Sequence, residues 1–351
     1  MNKRVFGLDL VRVVAVFLVI VIHSFLYTGY NSTSMSGIGM FMLLLLRCLA
    51  RSGVLIFIIL TGYLKSDKKV DKGYYKGITN ILLTYFIIAI LTIIFRKVVL
   101  HDEMRIAKLI ISIFSFNSVP YAWYVEMYLG LFFFIPFLNI LYKNISSRKK
   151  KRNLIITLFL FSSLFPTLSR ICIADLHLDL YPDWWSFLYP IMLYYVGSYI
   201  KEYKITFNKW IILCLLSFII FFDAFILYFY LSGGIIDSLL ANEYYTLSVI
   251  ISILVFLLLY DIKAKGKVIP GIFSFLSKLA FGTFLISFSF DSFIYKNITF
   301  LHNKYYYFLF CILVIPPIIF ILSSICSYFI NLIVKGIRFV GGKISQRKIT
   351  N

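Results

Sequence analysis

Apolar residues run along this chain in blocks near twenty residues long, broken by short polar stretches rich in lysine. Blocks of that length match the roughly 20 residues an α-helix needs to cross the hydrocarbon core of a bilayer. Hydrophobicity and punctuation place about ten spans, near 5–27, 38–64, 77–98, 121–142, 153–173, 184–200, 210–231, 244–261, 274–295 and 305–334. The expected fold class is all-α: a polytopic membrane protein of about ten transmembrane helices, read as one unit over 1–351 with a helical bundle to 334 and a basic tail over 335–351. The stretch MRIAKLIISIFSF from Met104 is apolar but too short to span, so it is expected to lie at the outer surface or re-enter the membrane.

Composition agrees. Of the 351 residues 61% are hydrophobic and 14% charged, with a mean hydropathy of +0.91, far from the balance of a soluble domain. The first block, VFGLDLVRVVAVFLVIVIHSFLY, is longer than a signal-peptide core, contains Arg12 and lacks an A-x-A exit, so it is expected to stay as the first span. The five cysteines (Cys48, Cys172, Cys214, Cys311, Cys326) show no paired spacing and read as packing residues; no metal is expected.

A net charge of +20 suggests nucleic acid until its placement is examined. With the N-terminus on the cytoplasmic side, inner segments hold 25 of the 35 basic residues and outer loops seven, while the acids divide four inside, seven outside and four in spans. The excess is thus a positive-inside signal, and no nucleic-acid partner is implied. It orients the chain in the cell membrane with both termini cytoplasmic.

Charged and titratable residues inside the spans carry the candidate chemistry, because they are costly there. Arg12 and His23 are eleven residues apart. At about 100° per residue that returns them to one helix face, roughly 16 Å apart along the axis. His23 is either a general base or an interface histidine hydrogen-bonded to a neighbour; His101, His177 and His302 fall in outer loops. Asp9, three residues before Arg12, can pair with it as a structural counter-ion. Arg47 and Arg51, spaced i, i+4, form either a phosphate clamp or structural pairs with Glu126, Asp223 or Asp291. Glu126 reads as an arginine partner or an acid/base. Trp123 and Tyr124 read as site residues or as an interfacial aromatic belt. The outer loop with Asp175, His177, Asp179 and Asp183 meets a sugar or is simply solvated.

These residues bring a family into view. The chain resembles the acyltransferase-3 family of integral-membrane O-acyltransferases, which modify cell-surface glycans. The arginine, ten residues, histidine pattern stands as Arg12 to His23, with Asp9 ahead of it. The second-span signature is matched by RSGVLIFIILTGYL from Arg51, with Leu55 for a usual proline and Thr61 for a usual serine. WYVEMYLGLFFFIPFLN resembles the family's fourth helix, and FGTFLIS its penultimate span, except that Ser287 stands where the family has a histidine. The resemblance implies transfer of an acyl group from cytoplasmic acetyl-CoA, or another acyl-CoA, to a hydroxyl of a surface glycan or lipid-linked sugar. In that scheme His23 is base or acyl relay, Arg12 stabilises anionic charge, and Arg47 and Arg51 hold phosphate or position the donor. The competing expectation is a transporter or flippase for a lipid-linked glycan. No inverted repeat supports it, and few helices are broken by glycine or proline in matching halves.

Overall fold

The computed structural model describes residues 5–30, 33, 36–170, 183–230, 244–298 and 304–347. The helices are α1 (Phe6–Tyr27), α2 (Gly37–Ala50), α3 (Ser52–Lys65), α4 (Lys72–Lys76), α5 (Ile78–Val98), α6 (Ile106–Phe114), α7 (Trp123–Asn144) and α8 (Arg148–Phe159). They continue as α9 (Phe165–Arg170), α10 (Tyr189–Tyr203), α11 (Lys209–Tyr230), α12 (Thr246–Leu259), α13 (Val268–Asn297), α14 (Lys304–Leu313) and α15 (Ile315–Arg347). No strand occurs among the described residues.

Among the described residues, eight helical stretches are long and apolar enough to cross a membrane: Phe6–Tyr27, Gly37–Lys65, Lys72–Val98, Pro120–Asn144, Arg148–Ser169, Lys209–Phe229, Val268–Asn297 and Tyr306–Phe339. The remaining two expected spans correspond to α10, with 15 residues, and α12, with 14. At about 1.5 Å per residue neither reaches the roughly 30 Å of a hydrocarbon core. Both pack on α3, and α10 is buried almost continuously from Met192 to Ser198. Short helices are tolerated at that depth because protein rather than lipid surrounds their ends. The nine-residue α6 leaves Ile106, Ile110, Ile111 and Phe114 exposed while Leu109 and Ile113 are buried. α15 runs on past residue 334, so the start of the basic tail continues that helix.

α1 stands at the centre, packed against α13, α3, α15 and α2. That position explains a helix apolar nearly all round, with Val11, Ala15, Val16 and Ile20 fully buried. Arg12 meets Ser277 and Tyr27 meets Ser292, two pairs each separated by 265 residues. A constant offset at both ends means that α1 and α13 run parallel and in register.

α3 and α10 make the densest crossing, and two glycines permit it. A Cβ on Gly197 would fall 2.0 Å from the Ile59 carbonyl oxygen, and one on Gly62 would fall 2.0 Å from that of Tyr194. Small residues let helix backbones approach this closely in membranes. Gly197→Ala is therefore expected to destabilise the fold by about 1–3 kcal/mol, the usual range for overpacking, read as a lowered Tm in detergent. Gly130→Ala, at a site with nothing within 4 Å, serves as the control. Equal melting of the two variants would show that the crossing yields freely.

Candidate active site

α1 carries Asp9 and Arg12 near its start and His23 near its end. The Arg12 guanidinium donates to Ser277 Oγ at 2.7 Å and lies 3.9 Å from Asp9 Oδ1. Asp9 is buried, whereas the Arg12 side chain keeps 27% of its surface. That surface faces a cavity of about 240 Å³, whose lining includes Lys65, Lys278, Thr61, Tyr124 and Phe284. Lys65 Nζ is held 4.8 Å from the Phe132 ring centroid and 5.2 Å from that of Tyr74, cation–π positions at the cavity wall. Asp9 offsets part of the Arg12 charge, but Lys65 and Lys278 add two more cations to one largely apolar space, so the cavity favours a negatively charged group or an oxygen that gains charge.

At the other end of α1, the buried His23 ring stacks on Tyr121, centroids 3.6 Å apart and planes 9° from parallel. Tyr121 comes from a short 3-10 turn, Pro120–Ala122, that starts on a proline and leads directly into α7. Its hydroxyl donates to Asp291 Oδ2 at 2.7 Å, and Asp291 is fully buried. His23 Nδ1 and Asp291 Oδ1 are buried without a hydrogen-bond partner among the described residues. Such an atom costs about 1–3 kcal/mol, which structures rarely carry without a functional reason. Tyr121 also meets Phe284 at 6.1 Å, and Phe284 meets Tyr124 at 5.8 Å. Aromatic rings thus connect the wall of the Arg12 cavity to His23.

Arg47 and Arg51 line neither end. They stand where α2 gives way to α3, beside Asp223 of α11, the Cys48 thiol and Tyr245. The Arg51 guanidinium lies 5.0 Å from the Tyr245 ring centroid, and Asp223 is fully buried. Neighbouring guanidinium groups favour an opposite charge nearby, and Asp223 is a carboxylate within electrostatic reach of both. Glu126 is exposed in the first turn of α7, where a carboxylate suits the positive helix end. Trp123 is half-buried and edge-on to Tyr124 at 6.3 Å; Tyr124 itself forms part of the cavity wall. Asp175, His177 and Asp179 lie outside the described residues, as does the side chain of Asp183. Among the described residues no cluster of three or more His, Cys, Asp or Glu could hold a metal ion.

From residue 5 to residue 335 the chain matches the acyltransferase-3 family model, described as an acyltransferase domain. The chain belongs to the acyltransferase-3 family. No curated protein and no solved structure matches it. With the match covering nearly the full length and eight apolar helices of spanning length, the protein is a multi-pass membrane acyltransferase.

In this acyltransferase, Ser287 at the family's histidine position is fully buried and donates to the Phe284 carbonyl of its own helix at 2.8 Å. Sequence reasoning did not find Tyr121, Ser277, Lys65 or Lys278 as site residues, and it offered Asp291 to the arginines. Tyr121 lies 170 residues from Asp291 and Ser277 lies 265 from Arg12. No local spacing announces pairs so distant.

Proposed function

We propose that this acyltransferase takes an acyl group from acetyl-CoA, or another acyl-CoA, on the cytoplasmic side and delivers it to a sugar hydroxyl of a surface or exported glycan. The observation that carries this reading is one face of α1, with Arg12 in a cation-lined cavity and His23 further along the same helix. The lysine distribution supports cytoplasmic termini, which puts Arg12 on the donor side and His23 on the acceptor side. Small-molecule pockets usually hold about 300–1,000 Å³, so this cavity takes the acyl-pantetheine end of the donor and leaves the nucleotide outside.

In the reaction, His23 removes the proton from the sugar hydroxyl as its oxygen attacks the thioester carbonyl. The C–O bond forms, the C–S bond breaks, and the departing thiolate collects the proton from His23. In the relay variant, the imidazole attacks the thioester, the C–S bond breaks and the thiolate leaves with the imidazole proton; the sugar oxygen then attacks, the acyl–nitrogen bond breaks, and the hydroxyl proton returns to the imidazole. Arg12, at the other end of α1 from His23, holds negative charge on the donor and keeps it in place. Arg47 and Arg51, one helical turn apart where α2 gives way to α3, suit the phosphate of a lipid-linked acceptor.

Inside-out vesicles from cells producing the protein test the proposal. Radiolabelled acetyl-CoA is added outside, and base-labile label is followed in glycan. Ester label that depends on the protein is the expected result. Inserted protein that labels no glycan, or that moves lipid-linked glycan without acylating it, overturns the reading.

A further inference from the structure

We infer that Asp291 is the counter-ion of His23, acting through Tyr121; this deepens the proposed reaction and rests on it. A histidine that takes a proton from an acceptor hydroxyl becomes an imidazolium. His23 is buried among apolar and aromatic side chains, where a lone cation is strongly disfavoured. A carboxylate nearby is the means by which a protein makes that charge tolerable.

Four acids stand in the spans, and the fold assigns three of them elsewhere. Asp9 lies beside Arg12, fourteen residues before His23 and so roughly 21 Å away along α1. Asp223 lies beside Arg47 and Arg51. Glu126 is exposed. Asp291 remains, fully buried, bonded at 2.7 Å to the hydroxyl of the very ring on which His23 stacks. Among the described residues, neither its second oxygen nor His23 Nδ1 has a hydrogen-bond partner. Of the other polar groups near this level, Ser287 Oγ bonds its own helix, the Tyr295 hydroxyl donates to the Cys311 carbonyl, and the Tyr27 hydroxyl meets Ser292; all of these are neutral hydroxyls and none is a carboxylate.

Asp291 serves this role in its carboxylate form. Its charge offsets the imidazolium between the arrival of the sugar proton and its departure on the thiolate. Tyr121 keeps its proton, fixes the carboxylate by one hydrogen bond and fixes the imidazole by stacking. Asp291 and Tyr121 are positioning residues, one electrostatic and one geometric. Ser287 stands one turn before Asp291, so the helix that lacks a histidine there presents a carboxylate four residues later.

Asp291→Asn tests the charge, because asparagine keeps the size and still accepts from Tyr121. With reconstituted full-length protein, acetyl-CoA as donor and glycan from the producing cells as acceptor, kcat is expected to fall about 100-fold or more. The KM for acetyl-CoA should stay within about 2-fold, because the donor binds at the Arg12 end. Asp291→Glu should recover part of kcat by restoring the charge, and Tyr121→Phe, which keeps the stack, should lose about 10-fold. An Asp291→Asn protein as active as the wild type overturns the inference alone. So does equal inactivity of the Asn and Glu variants with lowered Tm, which marks a structural carboxylate. A wild-type protein that transfers no acetyl to glycan overturns the proposed function, and the inference with it.

Discussion

Replacing His23 by phenylalanine is expected to lower acyl transfer by about 100- to 10,000-fold, the usual contribution of a general base, while the protein inserts and melts as the wild type does. Phenylalanine is the informative choice because the imidazole stacks on Tyr121 at 3.6 Å. An alanine would remove both the base and the packing, and the hole would confuse stability with chemistry. A second ring preserves the stack and deletes only the nitrogens. Vesicles with radiolabelled acetyl-CoA and no acceptor then separate the two roles open to His23. Label that stays on the wild-type protein and is absent from His23→Phe identifies the acyl relay. Unlabelled wild-type protein that still acylates glycan identifies the base. A His23→Phe protein that transfers normally would remove His23 from the chemistry altogether.

Much of the fold was legible in the sequence because a membrane imposes one dominant constraint. A helix must be long and apolar to cross, and eight of the expected spans meet that test in the structure. α10 and α12 fall short for a reason that hydropathy does not register. They pack against α3, so their apolar side chains face protein and their length is released from the bilayer's thickness. Gly62 and Gly197 are plain letters in the sequence until the α3–α10 crossing shows that each backbone occupies the space of the other's Cβ.

The site divides in the same way. Positions on one helix were readable, so Asp9, Arg12 and His23 fall where helical spacing puts them. Contacts between helices were not. Arg47 and Arg51 had three possible acids, and nothing local distinguishes Asp223 from Asp291. Tyr121 drew no reading from the sequence, because its value comes from two long-range partners at once, His23 and Asp291. The register between α1 and α13 decides both ends of the site, and a register between helices some 265 residues apart leaves no periodic trace.

Arg12 provides the second large effect, and its test must respect Asp9. Removing the guanidinium alone would strand a buried carboxylate, a change that typically costs about 3–5 kcal/mol and could empty the membrane of protein. Replacing both partners, Asp9→Asn with Arg12→Gln, removes the pair together and is expected to leave the Tm within a few degrees of wild type. Transfer should nevertheless fall about 100-fold or more, because the donor loses the guanidinium fork that holds it and only the flexible Lys65 and Lys278 remain at the cavity. Arg12→Lys, which keeps the charge and the Asp9 pair but lacks the planar fork that reaches Ser277, should fall between the two. The graded order wild type, lysine, double variant at constant Tm is the signature of an electrostatic role. If the double variant were active, the cavity's cations would be scaffolding, and Lys65 and Lys278 would inherit the donor on their own.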